Sequence, residues 1–277
     1  MKKFENFLKA LILPVLFLIF WQVMSSRIAN PIVLPDIKSI LRILSKPTGD
    51  LLSIGSLVGN AAVSLIRVFI SYSLAILTAV PLGMLLGYSE KARVYISPFI
   101  NIFRPIAPLA WVPLVLAWFG VSSLGTLIEP ESVKMYSYLN NIKFSMLFII
   151  FMGAFFPILT NTAFGVSSVR SILVDSARTL GATEKDVFTK VLFKAALPSI
   201  VTGFRTGLGV AWMCLVSAEM LPGSLAGIGY LITHAYTVAR TDVVIAGIVV
   251  ISIIGALIDI IFNFIENKYF KWQRSER

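Results

Sequence analysis

Apolar residues in this chain run in long uninterrupted blocks, with the polar residues gathered between them. A lipid-facing barrel strand would alternate apolar and polar positions over about ten residues; no such rhythm appears. A membrane-spanning helix needs about 20 mostly apolar residues. Six segments approach or meet that length: 7–24, 63–87, 94–119, 144–163, 198–222 and 243–266. Backbone polar groups inside lipid must be satisfied within the segment itself, which selects helices. The pattern predicts an all-α polytopic membrane protein, one transmembrane domain over residues 1–277 with about six transmembrane helices.

Three polar stretches break the blocks. After Pro35, DIKSILRILSK places Ile37, Ile40, Leu41 and Leu44 on one helical face, with Asp36 as N-cap and Pro47 as stop. It reads as an amphipathic helix lying at the outer membrane interface or against neighbouring spans. Residues 122–143, with Glu129, Glu131, Tyr136, Tyr138 and Asn140, form an extended external connection. Residues 164–197 carry a charged, helix-prone loop. At the N-terminus, basic residues and the run Ala10–Met24 could form an uncleaved first span or a signal peptide; no small-x-small cleavage site precedes Arg27, so an uncleaved span is expected.

Composition agrees with the pattern. Of 277 residues, 57% are hydrophobic and 14% charged, against roughly 25% charged in soluble domains. The net charge of +10 is read as decoration of the membrane's inner face rather than a nucleic-acid surface. Of 24 lysines and arginines, fourteen fall on one side of the six spans and seven on the other, with Arg67, Arg104 and Arg205 inside spans. That two-to-one excess places both termini and the 164–197 loop in the cytoplasm, in a cell (inner or plasma) membrane. One cysteine and one histidine exclude an intrachain disulfide and a histidine-based metal site. No GxxxxGK[ST] loop, paired catalytic carboxylates or nucleophile–base set is present.

The loop carries the most information. Asp175–Pro198 reads DSARTLGATEKDVFTKVLFKAALP. Its physical reading is two short helices about a glycine. Asp175 opens the first, favoured by the helix dipole; Gly181 permits positive φ; Thr183 and Asp186 suit a capping box. Val187, Phe188, Val191 and Leu192 form an apolar stripe, and Pro198 opens the next span.

This stretch resembles the EAA-type loop of binding-protein-dependent ABC importer permeases. SLIRVFISYSLAILTAVPLGMLLG, FRPIAPLAWVPLVLAWFG, GAFFPILTNT and AEMLPGSLAGIGYLI extend the resemblance to the nitrate/sulfonate/taurine/bicarbonate branch, over most of residues 25–266. Asp175 stands for the usual glutamate, Ser176 for alanine, and Lys194 where many members have proline. The resemblance implies a type I ABC importer permease fold and a transport subunit, not an enzyme. It implies no cofactor on this chain, with ATP–Mg on a partner. Asp175, Ser176, Ala177, Gly181, Ala182, Val187, Phe188 and Pro198 would then form the ATPase-coupling loop. The implied partners are cytoplasmic ABC ATPase subunits, an extracytoplasmic solute-binding protein, a second permease copy and membrane lipid, with no nucleic acid. The expected solute is small and anionic. A non-anionic small organic solute such as a pyrimidine precursor is the alternative, and an ion-coupled secondary transporter, relying on Glu219 and Asp259, a more distant one.

Within the spans, candidate pathway residues are Arg104, Trp111, Arg205 and Glu219. Arg104 precedes Pro105, Pro108 and Pro113, residues that interrupt helices as in broken translocation helices. It could attract an anion or snorkel to headgroups, and Arg205 has the same two readings. Glu219 is a gate, or an acid bonded to the GSLAGIGY backbone. Trp111 and Trp118 are packing aromatics or solute stackers. Gly83/Gly87 and Gly203/Gly207 form small-xxx-small faces for close helix approach within the subunit or across a dimer seam.

Overall fold

The computed structural model describes residues 2–269. Lys271, Arg274 and Arg277 of the charge count lie outside the described residues, as do the side chains of residues 1–10. The chain divides into two compact units: Met1–Ala62 with Leu225–Ser252, and Val63–Ser224 with Ile253–Arg277. No named strand occurs among the described residues.

The first unit contains α1 (Lys2–Ile28), α2 (Ile37–Ser45), α11 (Ile228–Thr237) and the first turns of α3 (Leu57–Tyr88) and α12 (Thr241–Tyr269). The amphipathic segment forms as its periodicity dictates. The Asp36 carboxylate caps the N-terminus of α2 through the Lys38 amide. Ile37, Ile40 and Leu44 face Phe17, Trp21 and Ile245 around a common apolar recess. Leu41 also lines that recess but stays 57% exposed, while Ile43, off the expected face, packs on the core of Leu57, Leu231, Ala235 and Val243. Trp21 Nε1 donates to the Pro35 carbonyl at 3.1 Å, fastening the loop after α1. Gly227, at φ +114, donates to the Asn60 side chain at 2.8 Å.

The second unit is built around α8 (Phe144–Ser167). It is sandwiched between α3 and α10 (Glu184–Glu219). Lipid supplies no hydrophobic drive between helices, so close packing of small residues must do so. A Cβ at Gly83 would lie 2.8 Å from the Leu159 carbonyl and one at Gly87 2.6 Å from that of Ala163. Across α8, a Cβ at Gly207 would meet the Ala154 carbonyl at 3.1 Å, and one at Gly203 the Asn161 Cβ at 2.9 Å. Both glycine pairs therefore serve helix approach within the chain.

Among the described residues five helices are long and apolar enough to cross a membrane, or six if a bent pair counts as one span. That pair is the expected 94–119 span. α4 (Glu90–Phe103) ends before Pro105. The chain resumes in a 3-10 turn (Pro108–Trp111) and α5 (Val112–Phe119), bent 84° from α4. Ala107 is extended at φ −58, ψ 135, as the residue before a proline must tend to be, and the break falls there. Residues 122–143 hold α6 (Leu124–Ile128) and α7 (Val133–Asn140). Ser123 and Thr126 form a reciprocal capping box, and Lys143 Nζ ties the segment closed on Val121 O and Asn140 Oδ1, both at 3.1 Å.

Candidate functional site

The 164–197 loop folds as a helix, a glycine turn and the start of a long helix. α9 spans Ser171–Thr179, so Asp175 sits within it rather than opening it, and its carboxylate lies 3.8 Å from Arg178. The turn follows at Gly181, φ +84, a region closed to most side chains. The Gly181 amide donates to Arg178 O and that of Ala182 to Ala177 O. Thr183 and Asp186 make the expected capping box.

The second helix is not a separate short one. It is the beginning of α10, 36 residues continuous from loop to span. A π-type turn over Val187–Leu192 widens it, and Pro198 lies buried inside it. The apolar stripe does bury: Val187 and Leu192 join Met84, Val166, Ala196 and Ile200 in one core, with Ala177, Ala182 and Phe188 packed against it.

Two residues not singled out by the sequence reading define the geometry. Leu180 projects from the turn with 88% of its surface exposed. Its position beside Gly181 in a polar run was the available signal. Glu184 accepts from Arg178 Nε at 2.9 Å and Nη2 at 3.1 Å, and from the Tyr88 hydroxyl at the end of α3. The Tyr88 ring also meets Phe188 edge-on, centroids 5.8 Å apart. The hydrogen bonds to Glu184 hold the Arg178 guanidinium above its ordinary pKa. Glu184 thus ties the glycine turn to a second transmembrane helix.

The candidate pathway residues separate into two kinds. Glu219 and Arg205 are paired. Glu219 is fully buried, 2.6 Å from Arg67 Nη1 and accepting from Ser64 Oγ at 2.7 and 3.0 Å; Arg67 also donates to the Asn141 carbonyl from Nε and Nη2, at 2.9 and 2.6 Å. Sequence inspection overlooked Arg67's role, since its partner is 152 residues away. Arg205 holds Asp259 at 2.6 Å and Glu266 at 3.0 Å, so both carboxylates engage one guanidinium.

Arg104 differs. It is exposed at the break after α4, and among the described residues its guanidinium holds no carboxylate. It lines two cavities of about 250 and 320 Å³ that share Arg104 and Thr160. Trp111 stacks on Phe103 at 5.7 Å and meets Phe148 edge-on, a packing role in this conformation, while Trp118 is 56% exposed. No cluster of metal-ligating side chains occurs among the described residues.

Comparison with known proteins bears on these features. A family model described as the inner membrane component of binding-protein-dependent transport systems matches residues 79–271. A Methanocaldococcus jannaschii protein assigned to the ABC transporter permeases is 44% identical over 262 residues, 95% of this chain and 91% of its own length. The taurine transport system permease protein TauC of Escherichia coli K12 is 31% identical over 263 residues, 94% of this chain and 87% of its own. Among solved structures, a chain of the MetNI methionine ABC transporter in inward-facing conformations matches with a TM-score of 0.57 at 19% identity. It covers 76% of this chain and 94% of the other, and concerns the fold alone.

Proposed function

The chain belongs to the inner membrane components of binding-protein-dependent transport systems, and from that membership we propose how it works. It is a multi-pass membrane protein and the permease subunit of an ATP-driven importer; it is not itself an enzyme, and its partners are an ATPase and a solute-binding protein. In our reading both termini and the loop face the cytoplasm, two copies enclose one pathway, and ATP–Mg binds on the partner ATPases. The transported solute is a small anion, as the names of relatives in the nitrate, sulfonate, taurine and bicarbonate branch suggest.

The observation that carries this reading is the glycine turn. Gly181 turns the chain so that Leu180 stands out as an apolar knob, a shape suited to a cleft in a soluble partner. Behind it the turn connects to the membrane-spanning helices in two ways. α10 runs without interruption from Glu184 to Glu219, on the order of 54 Å of helix. Glu184 and Phe188 engage Tyr88 of α3. A push on the turn would move both helices together, and this supports a role in coupling ATPase closure to rearrangement of the pathway.

A cysteine at Leu180 tests the reading, because the single native cysteine, Cys214, is buried. In membranes holding all subunits, Leu180→Cys labelled with a benzophenone maleimide, which inserts into a neighbouring C–H bond on irradiation, should join this chain to the ATPase polypeptide. No adduct there, nor from Ala177→Cys or Glu184→Cys, would remove the coupling role.

A further inference from the structure

The arginines within the spans have different surroundings. Arg67 and Arg205 each hold a carboxylate, whereas Arg104 holds none among the described residues. α4 is 14 residues long, so at 1.5 Å per residue the break lies on the order of 20 Å from the charged turn at Glu90. Laid along the membrane normal, α4 would carry the break well inside a hydrocarbon layer of about 30 Å. A bare guanidinium at such depth is costly unless it meets water or an anion.

Its surroundings are suitably polar. One of the two cavities it lines reaches Ser97 and Asn101 on α4, and the other reaches Asn161 on α8 and Thr206 on α10. Thr160 borders both. At rest, Thr160 donates to Phe156 O at 2.9 Å, Thr206 to Thr202 O at 2.9 Å and Asn161 to Pro157 O at 2.8 Å. Each can exchange that bond within its own helix for one to a ligand without stranding a buried donor. Either volume accepts an anion of a few heavy atoms with some of its water, each water occupying about 30 Å³.

Resting on the permease reading above, we propose that Arg104, with Thr160, Asn161 and Thr206, forms an anion-coordinating step of the translocation pathway. The ligand class is a small oxyanion or sulfonate, whose oxygens can take two parallel N–H bonds from one guanidinium. Arg205, already neutralised by two carboxylates, does not share this task. α10 contributes Thr206 and also carries the cytoplasmic turn, so movement of that helix would change the anion site directly.

The test needs no knowledge of the natural solute. Thr160→Cys in a Cys214→Ser background is exposed, in inside-out and right-side-out membrane vesicles, to two membrane-impermeant thiol reagents. These are sulfonatoethyl methanethiosulfonate, an anion, and its trimethylammonium counterpart, a cation. With rates normalised to a free thiol, the anion should react at least tenfold faster. Arg104→Gln should abolish that preference, and Arg104→Lys should retain most of it. Equal rates, a cation preference, or an anion preference that survives Arg104→Gln would overturn the proposal. So would failure of both Thr160→Cys and Thr206→Cys to react from either side. Since labelling does not use transport, an anion preference in a chain that binds no ATPase would spare the site and sink the coupling reading. A coupled importer without the preference would do the reverse.

Discussion

Removing Glu219 should destabilise this protein more than almost any other single change. The carboxylate and the Arg67 guanidinium have no exposed side-chain surface and lie 2.6 Å apart. Glu219→Leu would leave the Arg67 guanidinium buried without the carboxylate that faces it, while its bonds to the Asn141 carbonyl remain. Stranding one charge of a buried pair costs about 3–5 kcal/mol, roughly two to four orders of magnitude in the folding equilibrium at 1.4 kcal/mol per tenfold. Arg67→Met should cost less, because a stranded carboxyl can bind a proton and become neutral while arginine cannot lose its own. The double variant Arg67→Met/Glu219→Leu should recover part of the loss. It takes these partners from the Asn141 carbonyl and the Ser64 hydroxyl, at about 1–3 kcal/mol for each group left unsatisfied. Reversible unfolding in mixed micelles, followed by tryptophan fluorescence, measures all three variants. The reasoning fails if Glu219→Leu lies within 1 kcal/mol of wild type, or if the double variant costs as much as the two single changes together.

Gly181→Pro should leave the chain in the membrane but release the ATPase. Proline cannot reach φ +84 and lacks the amide that bonds Arg178 O; retained ATPase on purification would argue against the turn. Tyr88→Phe and Glu184→Gln should lower solute moved per ATP hydrolysed while leaving basal ATPase activity intact, and an unchanged ratio would exclude the α3 connection. Gly207→Val should cost about 1–3 kcal/mol by overpacking and lower the yield of folded protein, since its Cβ would meet Ile158 Cγ1 at 2.7 Å and Ala154 O at 3.1 Å. Val133 and Tyr138 stand 85% and 63% exposed on the 122–143 segment. If that segment helps seat the solute-binding protein, Val133→Asp/Tyr138→Asp should weaken its affinity without unfolding the chain. Deleting the segment is a poorer test, because Arg67 bonds to Asn141.

Features set by local chemistry were legible in the sequence. The Asp36 cap of α2, the Thr183–Asp186 capping box and the two glycine faces depend on residues within a few positions of one another, and all formed as read. Pairings across long stretches of chain were not. Nothing in local periodicity links Arg67 to Glu219 or Arg205 to Asp259, because helix packing decides which side chains meet. Three prolines before and within 108–113 indicated interruption, but the 84° bend depends on how the two halves pack. Pro198 misled in the other direction: it signalled a helix start, yet α10 continues through it. Arg104 was legible as a charge near prolines. That no carboxylate among the described residues holds it, and the polar walls around it, became visible only in three dimensions.

The most direct test of the central claim is gentle purification of the tagged chain from its native membrane, with mass spectrometry of co-eluting proteins and assay of ATP hydrolysis. A stoichiometric ATPase that is lost in Leu180→Asp and Gly181→Pro is the expected result. A chain that elutes alone and moves solute in liposomes without ATP would contradict it.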